Sequence, residues 1–247
     1  MRVVNRFNRV KRALLGLLCL IPLAAPADTA AVITSLEVEY RTKILENDDF
    51  AAYRVSIPAG HATAMHRHDT DILTVFISGG PTRTVIKDEP PRAESIPAGS
   101  VRFRPSGFTH ATENPGSRPF VFVILEFKRS VGARQQDLPA GSRHCAPDRN
   151  TACVEQNYLL CTQRVCAKSV MLGAGADMQV GAADSAQMLV AVTDARWSSS
   201  EGNGAHAKVR KSGDIEYVAA GAIKSWRNAA ATPTHLVMLE FREAATP

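Results

Sequence analysis

Short runs of alternating apolar and polar residues, bounded by glycine and proline, recur along the chain after about residue 30. The clearest are FAAYRVSI, ILTVFIS, TRTVIKD, SVRFRP, FVFVILEF and HLVMLEF. Alternation with a period of two, together with β-branched and aromatic residues, is typical of β-strands. Only the stretch TACVEQNYLLCTQRV could hold a turn or two of helix. The pattern therefore predicts an all-β chain.

The second half of this strand pattern repeats the first. GSVRFRPSGFTHATENPGSRPFVFVILEF, from Gly99, aligns without a gap over 29 positions with GDIEYVAAGAIKSWRNAAATPTHLVMLEF, from Gly213. Further upstream AYRVSIPAG aligns with AKSVMLGAG after a shift of one residue. This self-similarity predicts two copies of one β domain. We place the copies at 28–130 and 160–247, with a cysteine-containing linker at 131–159.

The first 27 residues have the composition of a secretory signal peptide. Five basic residues precede an apolar run from Ala13 to Ala25, and Ala25-Pro26-Ala27 offers the small residues that a signal peptidase recognises. The run is too short to span a bilayer as a helix. We therefore predict cleavage near Ala27 and a secreted or periplasmic mature protein.

Cleavage would change the charge of the chain. The full chain carries 29 Lys and Arg against 24 Asp and Glu, and loss of the five basic residues leaves 24 of each. A mature chain with no formal net charge gives no reason to expect nucleic acid or a membrane surface as partner.

Four cysteines, Cys145, Cys153, Cys161 and Cys166, remain after cleavage. An even number in an exported chain favours two disulfides, for which three pairings are open. The alternative is a four-cysteine zinc site, but gaps of seven, seven and four residues lack the usual C-x-x-C pairs.

Three histidines are the main candidates for chemistry. His66 and His68 lie two residues apart in a predicted strand, so their side chains leave the same face, about 6.5 Å apart at Cα. They could share one ion if His110, which follows the turn residues Pro105 and Gly107, supplied a third ligand. The alternative is that these are solvated histidines at strand ends.

These residues resemble the two motifs of the cupin family. The motif G-x5-P-x-G-x2-H-x3-N is matched in full by Gly99, Pro105, Gly107, His110 and Asn114. The start of the motif G-x5-H-x-H-x3,4-E-x6-G is matched by Gly60, His66 and His68. The resemblance implies a jelly-roll barrel in each copy, and in the first barrel one divalent ion of Fe, Mn, Ni, Cu or Zn bound by the three histidines.

The glutamate ligand of the family is missing. Its position falls at Ile72 or Leu73, and neither side chain can bind a metal. Asp71 lies one residue too early and would reach the site only through a β-bulge, so it is kept as an additional candidate ligand. We therefore expect a site of three histidines with open positions for water and substrate.

Other polar residues near the motifs are assigned supporting roles. We expect His61 to line the rim of the pocket or to be exposed, and Asn114 to order the loop behind His110. Arg102 and Arg104 alternate with apolar residues and are placed on an outer face.

The second copy lacks the ligands. In the alignment His66, His68 and His110 fall on Gly181, Ala183 and Lys224. We expect this barrel to pack against the first. Trp226 is placed in its core, and the alternative is that Trp226 lines a different ligand pocket there.

Two functions fit these observations. The first is a metal-dependent enzyme acting on a small molecule, with a dioxygenase the best-defined choice because open positions on Fe(II) would accept dioxygen and substrate. The second is a non-catalytic protein that binds a small molecule or a metal. No catalytic residue beyond the ligands is assigned, and a homo-oligomer through barrel faces is expected as a further partner arrangement.

Overall fold

The structure is a computed structural model of the chain, and it describes residues 32–35, 38–146, 149–182, 184–199 and 206–242. The predicted signal peptide, residues 1–27, lies outside these residues. Every helix or strand within them is a β-strand, as the alternating pattern predicts. No helix in these ranges is long and apolar enough for a transmembrane span.

Ten strands precede residue 130 and ten follow it. The first ten are β1 Ile33–Thr34, β2 Arg41–Glu46, β3 Phe50–Ile57, β4 His66–His68, β5 Ile72–Phe76, β6 Gly80–Ile86, β7 Arg92–Ile96, β8 Val101–Arg104, β9 Phe108–Glu113 and β10 Phe120–Phe127. The second ten are β11 Ser142–Ala146, β12 Arg149–Cys161, β13 Val165–Leu172, β14 Asp177–Val180, β15 Ala186–Ala191, β16 Ala195–Ser199, β17 His206–Arg210, β18 Ile215–Val218, β19 Lys224–Asn228 and β20 Thr234–Phe241.

Each set of ten forms a two-sheet jelly-roll barrel. The first barrel consists of the sheet β1-β4-β9-β6-β7, here called the histidine sheet, and the sheet β2-β3-β10-β5-β8, here called the shared sheet. The second barrel consists of a six-stranded sheet, β11-β12-β13-β20-β15-β18, and a four-stranded sheet, β14-β19-β16-β17. The predicted tandem of two jelly-roll barrels is confirmed.

The inner strands of the shared sheet, β3, β10 and β5, are buried on both faces. Alternate residues, such as Ile57 and Ile124, point into the first barrel, where they form its own apolar core. The residues between them, such as Leu73 and Leu125, are fully buried against Val165, Leu239 and other residues of the six-stranded sheet. A single apolar core therefore joins the two barrels.

The cysteine segment is part of the second barrel rather than an irregular connection. Cys145 and Cys153 lie opposite each other on β11 and β12, and Cys161 and Cys166 lie opposite each other on β12 and β13. The disulfides are Cys145–Cys153 and Cys161–Cys166. The helical turns considered for TACVEQNYLLCTQRV are absent from its described backbone, because its amide and carbonyl groups pair with neighbouring strands instead.

The two motif asparagines show that the repeat is structural. The Nδ2 amide of Asn114 donates to the carbonyl oxygens of Ile57, Pro58 and Arg118. The amide of Asn228 donates in the same way to Leu172, Gly173 and Thr232. Each asparagine thus ties the end of one strand to the loop before the last strand of its barrel, which is the ordering role expected for Asn114.

The interior of the second barrel is filled by two tryptophans. Trp197 and Trp226 are both 2% exposed, and their rings meet edge to face at a centroid distance of 4.6 Å. Register places Trp226 opposite Met178, within the apolar core between the two sheets. Trp226 is therefore a core residue, as predicted.

Because the two barrels share a core, a destabilising substitution in the first barrel should also lower the stability of the second. Leu125→Ala removes a fully buried side chain of the first barrel and should lower the free energy of unfolding by about 2–5 kcal/mol. Because both tryptophans of the chain lie in the second barrel, urea unfolding followed by tryptophan fluorescence should register that loss.

Val209→Ala is the matched control, since Val209 is 63% exposed and its truncation should change stability by less than about 0.5 kcal/mol. An unchanged tryptophan transition in Leu125→Ala would show that the barrels unfold independently.

Candidate metal centre

Three histidines converge inside the first barrel. Strands β4 and β9 pair antiparallel with His66 opposite His110, and the alternation of β4 turns His66 and His68 to the same side. The Nε2 atom of His68 lies 3.1 Å from that of His66 and 3.2 Å from that of His110. The three residues thus form a cluster that could hold one metal ion, on the side chains predicted from the sequence.

The other ring nitrogen of each histidine is already engaged. Nδ1 of His66 lies 2.9 Å from the carbonyl oxygen of Ala64, and Nδ1 of His68 lies 3.1 Å from Oε1 of Glu126. These acceptors require an N–H at Nδ1, so both Nε2 atoms carry lone pairs that face each other. Nδ1 of His110 lies 3.4 Å from Oγ1 of Thr112. Lone pairs that meet at one point repel unless a cation lies between them, so the residues fit a divalent metal.

The surroundings keep two of the three imidazoles, those of His66 and His110, uncharged. Burial, reinforced by the neighbouring His68 and Arg41, lowers the pKa of His66 from 6.5 to about 4. Burial, followed by the proximity of His66 and His68, holds the pKa of His110 well below its usual value. Neutral imidazoles at neutral pH are the form that binds metals.

Glu126 orients the cluster from behind, and the sequence analysis missed this role. Burial alone would raise its pKa, but hydrogen bonds from His68 and Arg41 and the charge of Arg41 outweigh that effect and lower it to about 2. Its second oxygen lies 2.7 Å from Arg41, so the carboxylate bridges a ligand and a cation. The available signal was a lone carboxylate in the apolar strand FVFVILEF, which needs a buried partner.

Asp71 is not a ligand, which corrects its candidacy. One carboxylate oxygen accepts from the amide of Ser106 at 2.9 Å, and the other accepts from Ser130 Oγ at 2.7 Å and the amide of Val131 at 3.0 Å. No bulge turns it toward the histidines. At the next position Ile72 faces the cavity, so the family's carboxylate is replaced by an apolar side chain.

His61 lies outside the cavity. Its side chain is exposed, and Nδ1 lies 3.2 Å from the hydroxyl of Tyr40. Of the two roles expected for it, the exposed side chain is the one observed and the pocket role is not; His61 lies in the connection between β3 and β4. Asp69 is paired with Arg67 at 2.8 Å on the surface.

The histidines open onto an apolar cavity of about 80 Å³ between the two sheets. Phe76, Phe108, Phe120 and Phe122 supply much of its wall. Arg102 and Arg104 also line it, which corrects their placement on an outer face. The outward direction of β8 is instead taken by Val101 and Phe103, which pack on the core between the barrels.

The second barrel lacks the metal centre. The structurally equivalent positions lie one residue before those given by the sequence alignment. The amide of Gly107 donates to His68 O at 2.8 Å, and that of Gly221 donates to Ala182 O at 2.9 Å, so Ala182 replaces His68. Val180 faces Lys224 as His66 faces His110. His66 follows Ile57, the end of β3, by nine residues, whereas Val180 follows Leu172, the end of β13, by eight, which accounts for the shift. Neither Val180 nor Ala182 can bind a metal.

Comparison with known proteins agrees with this architecture. No family model matches the chain. Dimethylsulfoniopropionate lyase DddQ of Ruegeria pomeroyi is 35% identical over 79 residues, which are 32% of this chain and 37% of the lyase, so the match covers little more than a third of that relative.

Two solved structures share the fold at low identity. AerE from Microcystis aeruginosa has a TM-score of 0.58 at 13% identity, with 82% of this chain and 97% of AerE covered. Oxalate decarboxylase of Bacillus subtilis, described with Mn(II) centres, has a TM-score of 0.53 at 12% identity, with 84% of this chain and 76% of the decarboxylase covered.

Fold and centre together define a double-barrel protein with one histidine cluster suited to a divalent metal. Its fold is that of the cupin superfamily, present twice, with the ligands kept in the first barrel alone. At the level of the fold, the comparisons agree with the resemblance found in the sequence.

Glu126 offers a test of how the ligands are held. Glu126→Gln removes the charge that orients His68 and should weaken metal binding about 10- to 100-fold. Glu240→Gln is a matched control, since Glu240 is the penultimate residue of β20, as Glu126 is of β10, and pairs with Lys168. Metal affinity is measured by competition with a chelator. Equal affinities in the two variants would show that Glu126 does not support the centre.

The buried histidines also predict a pH dependence for the metal-free protein. Between pH about 6.5 and about 4 the unfolded chain protonates at position 66 while the folded chain does not, so stability falls as pH falls through this window. The loss from His66 should approach roughly 3 kcal/mol. The free energy of unfolding, measured with urea at several pH values in this range, should depend less steeply on pH in His66→Asn than in wild type. An equal pH dependence in the two proteins would contradict the assignment.

Proposed function

We propose that the protein is an exported, metal-dependent enzyme that acts on a small organic molecule in the cavity of the first barrel. The observation that carries the proposal is the set of three Nε2 atoms, 3.1–3.2 Å apart along the cluster, with Nδ1 atoms engaged behind them and an apolar cavity in front. A divalent cation held there would supply Lewis acidity and, if redox-active, electron transfer to dioxygen.

The reaction class that the cavity favours is dioxygenation. The described residues lining it include no aspartate, glutamate, tyrosine, lysine or cysteine, so none of them other than the histidines could remove a proton from the substrate. Oxidation by dioxygen needs no such base when the substrate enters as an anion, and an apolar wall accommodates both dioxygen and a hydrocarbon body. Three neutral ligands leave the charge of the cation uncompensated, which favours a substrate that binds through oxygen.

Elimination is the second candidate. The local 35% identity to a dimethylsulfoniopropionate lyase favours it. In this chain a lyase would need a base from the histidine cluster or from water. The two candidates differ in an observable way, because dioxygenation consumes oxygen and elimination does not.

Export is supported by the two disulfides and by the basic and apolar segment at the start of the chain. Disulfides form and persist in oxidising compartments. A bacterium expressing the full chain should export a shortened protein. Its intact mass should correspond to a chain that begins near Asp28.

Metal content and turnover test the proposal together. The mature, disulfide-bonded protein should carry close to one divalent ion by mass spectrometry, and His66→Ala and His110→Ala should lose most of it because each removes one of three ligands. His61→Ala should retain it, since His61 lies on the surface.

Oxygen uptake is then measured with diketones, thiols and catechols, and alkene products are assayed in parallel. Equal metal content in wild type and both ligand variants would overturn the centre. Metal binding without turnover of any class would leave a binding protein, the alternative function.

A further inference from the structure

Three arginines reach the cavity, and two of them have a carboxylate partner. Arg41 lies 2.7 Å from Glu126, and Arg102 makes two hydrogen bonds to Glu94, of 2.8 and 2.9 Å. Their charges are therefore balanced within the protein. Neither is available for a ligand without breaking an ion pair.

Arg104 has no such partner. It forms no hydrogen bond or ion pair with any residue in the described ranges, although it is half-buried at the cavity wall. Its guanidinium lies 5.2 Å from the centre of the Phe108 ring, and that ring lies 4.6 Å from the ring of His110. Arg104 is thus held on the same side of the cavity as the histidine cluster, with one aromatic ring between them.

The rest of the cavity makes an unpaired cation there unfavourable. Ile72 lies opposite Arg104 on β5, and the ring of Phe108 lies under its guanidinium. The carboxylate of Glu94 favours the charge of Arg104, but its hydrogen bonds go to Arg102. A partly desolvated charge without a partner costs free energy, which an anion entering the cavity would recover. A guanidinium matches a carboxylate with two parallel hydrogen bonds, and the phenylalanine rings match an apolar body.

We propose that Arg104 is a substrate-binding residue that pairs with the carboxylate of an organic acid whose apolar body lies among the cavity phenylalanines. This deepens the proposed function, on which it rests for the identity of the cavity as the active site. The carboxylate bound at Arg104 would present the neighbouring carbon atoms of the acid to the histidine cluster.

The test uses the metal-free protein, so that its outcome does not depend on metal chemistry. Phenylacetate, benzoate and phenylacetamide are titrated by calorimetry into the chelator-treated protein. Wild type should bind at least one acid about tenfold or more tightly than the amide. Arg104→Gln should lose that preference, and Arg104→Lys should restore part of it because the charge returns without the planar fork.

Arg83→Gln is the matched control, since Arg83 pairs with Glu113 on the outside of the same barrel. It should behave as wild type. Tryptophan-monitored unfolding confirms that each variant is folded, and an unfolded Arg104→Gln leaves the comparison between acid and amide in wild type and Arg104→Lys to decide.

The proposal is overturned if neither acid is preferred over the amide in wild type, or if Arg104→Gln retains the preference shown by Arg83→Gln. Failure of the proposed function has a separate signature, which is the absence of metal from the wild-type protein while the preference for the acid persists.

Discussion

The double burial of the shared sheet is the constraint on which the rest of the structure depends. Its inner strands β3, β10 and β5 contribute to two cores at once, with successive side chains pointing to opposite cores. Leu125 and Phe103 face the second barrel, so Glu126 and Arg104 must face the first. The second barrel therefore shapes the centre without touching it, because it fixes which face of the sheet is the inner one.

Sequence predicted the parts of this protein that depend on spacing. Strand alternation gave the all-β fold, and the motif positions gave the three histidines. The direction of Arg104 could not be predicted, because a strand buried on both faces carries apolar residues whichever way it turns. The role of Glu126 could not be predicted either. Glu240 occupies the same position of the Leu-Glu-Phe sequence in the second barrel, which has no metal centre. The role of a buried carboxylate depends on the residues that contact it, and these come from distant parts of the chain.

The second barrel shows what can be lost while the fold is kept. Its motif asparagine makes the same three hydrogen bonds as Asn114, so the framework loop is held alike in both barrels. Trp197 and Trp226 occupy its interior, where the first barrel leaves a cavity. Large core side chains make van der Waals contacts that are missing where the interior is left as a cavity. The open interior of the first barrel is thus a cost in stability that its closed neighbour helps to offset.

The pairing of Glu126 with Arg41 has a consequence for what can enter the first barrel. The two charges cancel, so the acid behind His68 orients that ring without making the interior negative. Arg102 and Glu94 cancel in the same way. Any cation at the histidines would therefore add to the positive charge of Arg104. The lining of the cavity thus carries a net positive charge. A positive cavity favours anions over amines and other cations, and it favours a zwitterion bound with its acidic end toward Arg104.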